Sequence, residues 1–258
     1  MDLNTVVCVS PHPDDAALSC GGFLAQQIAH GRPARILTVF AGDSPPVGEL
    51  TPFARELHHE WGDLDNPMVH RRAEEARAVA ALGCAGETWH YRDAIYRHPA
   101  YDSAERLFGP PADEAALEEE LRARCAELSA TLFLFPLAVG RHVDHQLLFR
   151  VGWKLWGMGL PNRFYEDVPY VAWENGPAQR LAELGLPLWP RIIDITPYWP
   201  AKIATISCYP SQFSSLTRDG VPLQEAVAHY AAALRPTGYA ERLWGARFRG
   251  QPLRPSFP

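Results

Sequence analysis

Apolar residues along this chain fall into short continuous runs, separated by longer stretches with helical periodicity. The first run, Thr5-Val6-Val7-Cys8-Val9, reads as a buried strand. A helix is predicted over 18–30, where Phe23, Leu24 and Ile28 share one face and Gly31-Arg32-Pro33 supplies the stop. Residues 34–40 form a second strand. A helix over 69–82 carries Ala73, Ala76, Val79 and Ala80 and ends at Gly83. A third strand is predicted at 88–91, and the Tyr-, Pro- and charge-rich stretch 93–111 reads as a long loop of the kind that carries function. A helix over 113–129 leads into a fourth apolar run, 131–135. A further helix over 144–158 has Leu148, Val151 and Leu155 on one face. Segments 163–171 and 191–195 look extended, and helices follow near 200–208 and 223–234.

This strand–helix alternation predicts an α/β fold: a Rossmann-like three-layer sandwich, with a mainly parallel sheet and helices on both faces. No repeat or linker divides the chain, so residues 1–250 are expected to form one domain, followed by a Pro-rich tail at 251–258. Gly21-Gly22 is only a pair, and no G-x-G-x-x-G follows the first strand, which argues against a dinucleotide site.

Composition narrows the class. The 258 residues are 47% hydrophobic and 21% charged, ordinary values for a chain able to bury a sizeable core. A net charge of −6 without a Lys/Arg-rich block argues against nucleic-acid binding. No apolar stretch reaches membrane-span length, and Met1-Asp2-Leu3-Asn4 has no basic leader region. The five scattered cysteines read as reduced thiols of a cytoplasmic protein. Nothing in the pattern excludes a homo-oligomer.

The chemistry concentrates after two of the apolar runs. Ser10-Pro11-His12-Pro13-Asp14-Asp15 follows the first strand, and Arg141-His142-Val143-Asp144-His145 follows the fourth. Strand C-terminal ends are where open α/β sheets bind ligands, so the two clusters read as halves of one metal site. Catalytic zinc takes about three protein ligands and keeps a position for water. His12 and Asp15 are close enough in sequence to chelate together, and His145 can supply a third ligand. Asp14 can then accept a proton from attacking water, and His142 can stabilise an oxyanion. Asp144 is placed to hold an imidazole, that of His142 above all, or to cap the helix that follows.

The PHPDD loop together with the downstream H-x-D-H resembles the PIG-L/LmbE-like family of zinc-dependent de-N-acetylases, over about residues 6–212. The resemblance implies a Rossmann-like fold and the same division of labour. His12, Asp15 and His145 would be ligands to Zn2+, with Fe2+ suited to the same donors. Asp14 would be the base, His142 the acid or oxyanion partner, and Asp144 its support. It further implies that Arg71, in an R-x-x-E element with Glu74, contacts substrate, and that Asp93 binds sugar hydroxyls. Arg72 and Glu75 repeat the R-x-x-E spacing one residue on. The segment Lys202 to Gln212 resembles the family's K-x-x-A…SQ element, with Tyr209 where the family usually has His. Gln212 is expected to be buried near the active-site loops.

Within Phe164-Tyr165-Glu166-Asp167-Val168-Pro169-Tyr170, Glu166 and Asp167 are candidate substrate contacts, although strand alternation explains the same letters. His58-His59 is not a promising second metal site, because adjacent helical residues point about 100° apart. The expected activity is removal of an N-acetyl or other N-acyl group from a small, N-acetylglucosamine-containing substrate. The alternatives are an amidase acting on a thiol conjugate or acylated metabolite, and a non-catalytic metal- or sugar-binding protein. A two-metal phosphoesterase would need a second set of ligands that the sequence does not offer.

Overall fold

The computed structural model describes residues 5–62, 66–97, 99–173 and 176–246. Seven strands, β1 (Val6–Ser10), β2 (Ala34–Thr38), β3 (Ala85–Thr88), β4 (Leu132–Pro136), β5 (Asn162–Tyr165), β6 (Leu188–Asp194) and β7 (Ala240–Ala246), form one sheet. The longer helices are α1 (Asp15–Ala29), α2 (Pro52–Glu60), α3 (Pro67–Leu82), α6 (Ala115–Ala126), α7 (Val143–Gly157), α10 (Trp199–Ile206) and α11 (Leu223–Ala233). Shorter helices are α4 (Ala94–Arg97), α5 (Ala104–Leu107), α8 (Tyr170–Trp173) and α9 (Ala178–Leu184).

The strands lie in the order β3-β2-β1-β4-β5-β7-β6. β1 pairs in parallel with β2 and β4, β2 with β3, and β4 with β5. β7 is antiparallel to both β5 and β6. This is the mainly parallel α/β sandwich that the alternation predicts. β1 and β4 are buried at every position, so each reads as an unbroken apolar run. Their side chains still alternate between faces. Val7 and Val9 join a cluster with Leu147, Leu148 and Val151 of α7, and Val6 and Cys8 join one with Cys20, Phe23 and Leu24 of α1.

That topology positions the site. From β1 the chain winds through β2 and β3 to one side, while β4 and β5 continue on the other. The loops leaving β1 and β4 therefore part around a crevice at the strand C-terminal ends. These are the loops that carry His12 to Asp15 and His142 to His145.

Several element boundaries differ from the sequence reading. β3 lies at Ala85–Thr88, before the aromatic stretch that suggested a strand at 88–91. It is a half-exposed edge strand with no apolar run to mark it, and the Trp89/Tyr91 alternation belongs to the turn beyond, where Phe40 bridges to His90. The extended segment expected over 163–171 ends at Tyr165 and gives way to α8. Pro169 lacks the N–H that a ladder needs. The loop predicted at 93–111 contains α4 and α5. β7, with Glu241 and Arg242 among its residues, has no strand signature and was not expected. The tail at 251–258 lies outside the described residues.

Candidate metal centre and active site

The β1 loop is built by its own polar groups. Ser10 Oγ donates to the His12 carbonyl at 2.8 Å and accepts from Ala16 N–H at 3.1 Å, tying the end of β1 to the start of α1. Asp14 bridges the two with φ 113° and ψ −37°, a conformation that favours glycine. A non-glycine residue there is held by its surroundings, and such strain clusters at functional sites. Arg71 of α3 donates to the Pro13 carbonyl at 3.0 Å and lies 3.6 Å from Asp14 Oδ2. The Asp14 N–H donates to Glu75 Oε2 at 3.3 Å.

His12, Asp15 and His145 converge. Asp15 Oδ2 is 3.3 Å from His12 Nδ1 and 3.3 Å from His145 Nε2. The far nitrogen of each ring meets another buried carboxylate: His12 Nε2 is 3.0 Å from Asp144 Oδ2, and His145 Nδ1 is 2.6 Å from Asp167 Oδ1. Asp144 is in turn fixed by Arg97 Nη2 at 2.6 Å and by the Ala94 N–H at 3.0 Å. Asp167 accepts from the Val139 N–H at 2.9 Å. His142 stands beside them, its ring centroid 4.7 Å from that of His12. The groups that could hold a cation include His12, His142 and His145, and His12 with Asp93, His142 and Asp144.

The electrostatics fit a bound divalent cation. Asp14, Asp15, Asp93, Asp144 and Asp167 are all buried, and among the described residues Arg71 and Arg97 are the arginines within ion-pair distance of them. Burial opposes charge on the His12 ring, yet Asp93, Asp144 and Asp15 outweigh it and raise His12 to about 9. Burial likewise works against protonation of His145, but Asp15 and Asp167 push it well above the usual histidine range. Two imidazoles driven to carry positive charge mark a pocket with surplus negative potential, which a metal ion satisfies. Burial pushes Asp14 up to about 8, against the pull of Arg71. His142 goes the opposite way, because burial and the neighbouring His12 keep it neutral. Its Nδ1 accepts the Asp144 N–H at 3.2 Å, so the proton of the neutral ring sits on Nε2.

The cavity around these groups has a volume of about 680 Å³. His12, Asp14, Asp15, Arg71, Asp93 and His142 line its base. Phe53, Leu57, Leu107 and Phe108 form an apolar wall, and Glu56, Glu60 and Asp102 are also in the lining. The segment 93–111 thus shapes the cavity. Arg71 Nε is buried without a hydrogen-bond partner.

Some candidate residues take other positions than expected. The Asp144 carboxylate lies on His12 rather than His142, held there by Arg97 and the Ala94 N–H; the cap of α7 is the His142 side chain instead. Glu166 does not line the cavity: it accepts from Arg242 Nε at 2.6 Å and Trp244 Nε1 at 2.7 Å on β7. Asp167 does not line it either, since its carboxylate is engaged by His145 and Val139. Helix geometry separates the members of both R-x-x-E registers. Arg71 and Glu75, one turn apart, face Asp14, while Glu74 accepts from Ser211 and Arg72 binds the Ala41 carbonyl and Asp43. Tyr209 donates to Glu75 Oε2 at 2.6 Å, which gives this departure from the family pattern a place in the same network. Gln212 is buried and lines the cavity. His58 of α2 pairs with the Tyr96 hydroxyl rather than with a metal group. Arg97 carried no sequence signal that set it apart from other charged residues, and Glu75 stood out only through the R-x-x-E spacing that it shares with Arg72.

An α/β sandwich with a buried His/Asp cluster able to hold a metal ion in its switch-point crevice is the architecture of a metal-site enzyme. The chain belongs to the PIG-L family, described as GlcNAc-PI de-N-acetylase, whose model matches residues 7–156. It is 32% identical over 257 residues to a 2'-N-acetylparomamine deacetylase of Streptomyces fradiae, covering 92% of this chain and 88% of that protein. The zinc-inhibited form of the teicoplanin deacetylase Orf2 superposes with a TM-score of 0.78 at 25% identity, covering 93% of this chain and 97% of that one. The A40926 pseudoaglycone deacetylase Dbv21 superposes with a TM-score of 0.76 at 30% identity, over 94% and 97% of the two chains. Among the described residues, no helix is long and apolar enough to cross a membrane.

Proposed function

We propose that the protein is a zinc-dependent de-N-acetylase acting on an N-acetylated amino-sugar unit of a small molecule, an N-acetylglucosamine-type group being the leading candidate. The observation that carries this reading is the paired arrangement of His12 on Asp144 and His145 on Asp167, with Asp15 between the two rings and Asp14 alongside. His12, Asp15 and His145 would hold the ion, with Fe2+ compatible with the same donors. The two outer carboxylates would fix ring orientation and basicity. When bound, such an ion supplies Lewis acidity towards an amide carbonyl and acidifies water.

The chain's own groups do the rest. Asp14 accepts the proton that water loses as its oxygen bonds to the carbonyl carbon. His142 Nε2–H donates to the developing oxyanion, and the proton held by Asp14 passes to the departing amine as the C–N bond breaks. The products are a carboxylic acid and a free amine. Asp93 and Arg71, at the base of the cavity, are placed to take substrate hydroxyls or the acyl oxygen, and the partnerless Arg71 Nε is a donor available for that purpose. Five thiols, none in a disulfide, accord with a cytoplasmic setting. We take residues 1–250 as one catalytic unit.

A larger N-acylated conjugate is favoured as a second reading by the apolar wall, since about 680 Å³ exceeds what one monosaccharide fills. The test is release of acetate and free amine from a panel of N-acetyl sugars and acylated glycoconjugates, with metal quantified on the same preparation. Chelator-sensitive release with about one ion per chain is expected. Protein that takes up neither zinc nor ferrous iron after reconstitution overturns the reading.

A further inference from the structure

The peptide unit between Pro13 and Asp14 is gripped at both ends by one turn of α3. Its carbonyl accepts from Arg71 Nη2 at 3.0 Å, and its N–H donates to Glu75 Oε2 at 3.3 Å. Residues four apart on a helix lie on one face, so Arg71 and Glu75 reach the same loop together. A trans peptide is planar, and its C=O and N–H point in opposite directions. Holding both ends fixes the plane about which the φ of Asp14 is set.

Glu75 is itself aimed by other elements. It is buried together with Thr38, Tyr209 and Asp14. Thr38 Oγ1 donates to Oε1 at 2.9 Å, and the Tyr209 hydroxyl donates to Oε2 at 2.6 Å. Thr38 ends β2 and Tyr209 follows α10, so the carboxylate is held from two sides. Among the described residues its partners are these two hydroxyls and the Asp14 N–H, with no Lys or Arg at ion-pair distance. Burying a carboxylate without a cation is costly, and an apolar side chain would fill the same place more stably. The bonds it makes, and not packing, account for a carboxylate at this point.

Asp14 is the residue that needs holding. It precedes α1, where an aspartate ordinarily turns its carboxylate back onto the first N–H groups of the helix. Its side chain makes no such bond, and Ser10 Oγ accepts from the Ala16 N–H instead. Its φ of 113° is one that a side chain rarely adopts unless its surroundings impose it. The carboxylate stays in the cavity, beside Arg71.

We propose that Glu75 is a positioning residue for Asp14: with Arg71 it clamps the Pro13–Asp14 peptide, keeps the Asp14 carboxylate off the start of α1 and holds it in the cavity, while Tyr209 aims the clamp. This rests on the reading of Asp14 as the base of the hydrolysis. Glu75 touches no substrate and acts only through the backbone of Asp14.

Crystal structures and steady-state kinetics of metal-loaded Glu75→Leu, Glu75→Gln and Tyr209→Phe test the clamp. In Glu75→Leu, Asp14 should leave its positive φ and turn its carboxylate towards the N–H groups of α1. Its kcat should fall by about 10²-fold, the scale of a misplacement of roughly 1 Å, with KM and bound metal little changed. Glu75→Gln keeps an acceptor for the Asp14 N–H and should retain most of kcat. Tyr209→Phe should fall between the two, and it carries the same readouts if Glu75→Leu does not fold. Asp14 unmoved in Glu75→Leu overturns the proposal, as does an unchanged kcat. Loss of bound metal overturns it by making Glu75 a support of the metal loop at large. Equal losses in Glu75→Leu and Glu75→Gln overturn it by assigning the effect to charge. Failure of the unaltered protein to release amine from any N-acetyl substrate would instead count against the de-N-acetylase reading, and the conformation of Asp14 in Glu75→Leu would then decide the clamp by itself.

Discussion

Asp167 Oδ1 lies 2.6 Å from His145 Nδ1, and this contact leaves Nε2 as the ring nitrogen facing Asp15 at 3.3 Å. The Val139 N–H holds the other Asp167 oxygen, so the imidazole is clamped by a carboxylate that cannot itself rotate. Replacing Asp167 by Asn should weaken metal affinity about 10–100-fold, as removing such an outer carboxylate does. Metal titration of chelator-stripped protein measures it. An unchanged affinity with a raised KM would instead return Asp167 to a substrate role.

Asp14 occupies a strained backbone position next to the cluster without sharing its imidazole contacts. Asp14→Asn should lower kcat by about 10²–10⁴, the usual contribution of a positioned base. Bound metal, read on the same sample by elemental analysis, should stay near the level of the unaltered protein. Loss of the ion would show that Asp14 is a ligand and not the base.

Arg71 gives the pH dependence its sign. Burial raises the Asp14 carboxyl to about 8 and the Arg71 guanidinium, 3.6 Å away, works to lower it. A bound divalent cation acts in the same direction as Arg71. If Asp14 must be ionised to act, kcat/KM rises with pH through its pKa. Arg71→Met removes a charge that favours the carboxylate, so the acidic limb should move to higher pH. A limb that stays in place, or moves to lower pH, would contradict the assignment.

Lys202 carries a structural load. Its ammonium is buried 2.6 Å from Glu241 Oε1 and 2.5 Å from the Leu18 carbonyl, while Glu241 accepts from Gly22 and Phe23 N–H at 2.9 and 2.7 Å. The pair thereby joins α10 and β7 to the middle of α1. Lys202→Met leaves the Glu241 charge uncompensated and should cost about 3–5 kcal/mol, read by denaturant unfolding. Adding Glu241→Gln should recover part of that loss. A single variant as stable as the parent would mean that water reaches the pair.

The sequence legibly carried what depends on neighbours along the chain. Unbroken apolar runs marked β1 and β4, because strands buried on both faces have no polar side to show. The loops after them displayed the His/Asp chemistry, and a shared strand-end position implied that they meet. β3 and β7 were less legible, the one an exposed edge and the other a strand carrying Glu241 and Arg242 for contacts made far away in sequence.

What could be read along the chain, then, was the sandwich, the crevice and the two loops whose His and Asp residues meet there. Which carboxylate serves which imidazole was decided only in three dimensions. Asp144 crosses to His12, 132 residues away, and Asp167 reaches His145, 22 residues away. Glu166, adjacent to Asp167, instead accepts from Arg242 and Trp244 of β7.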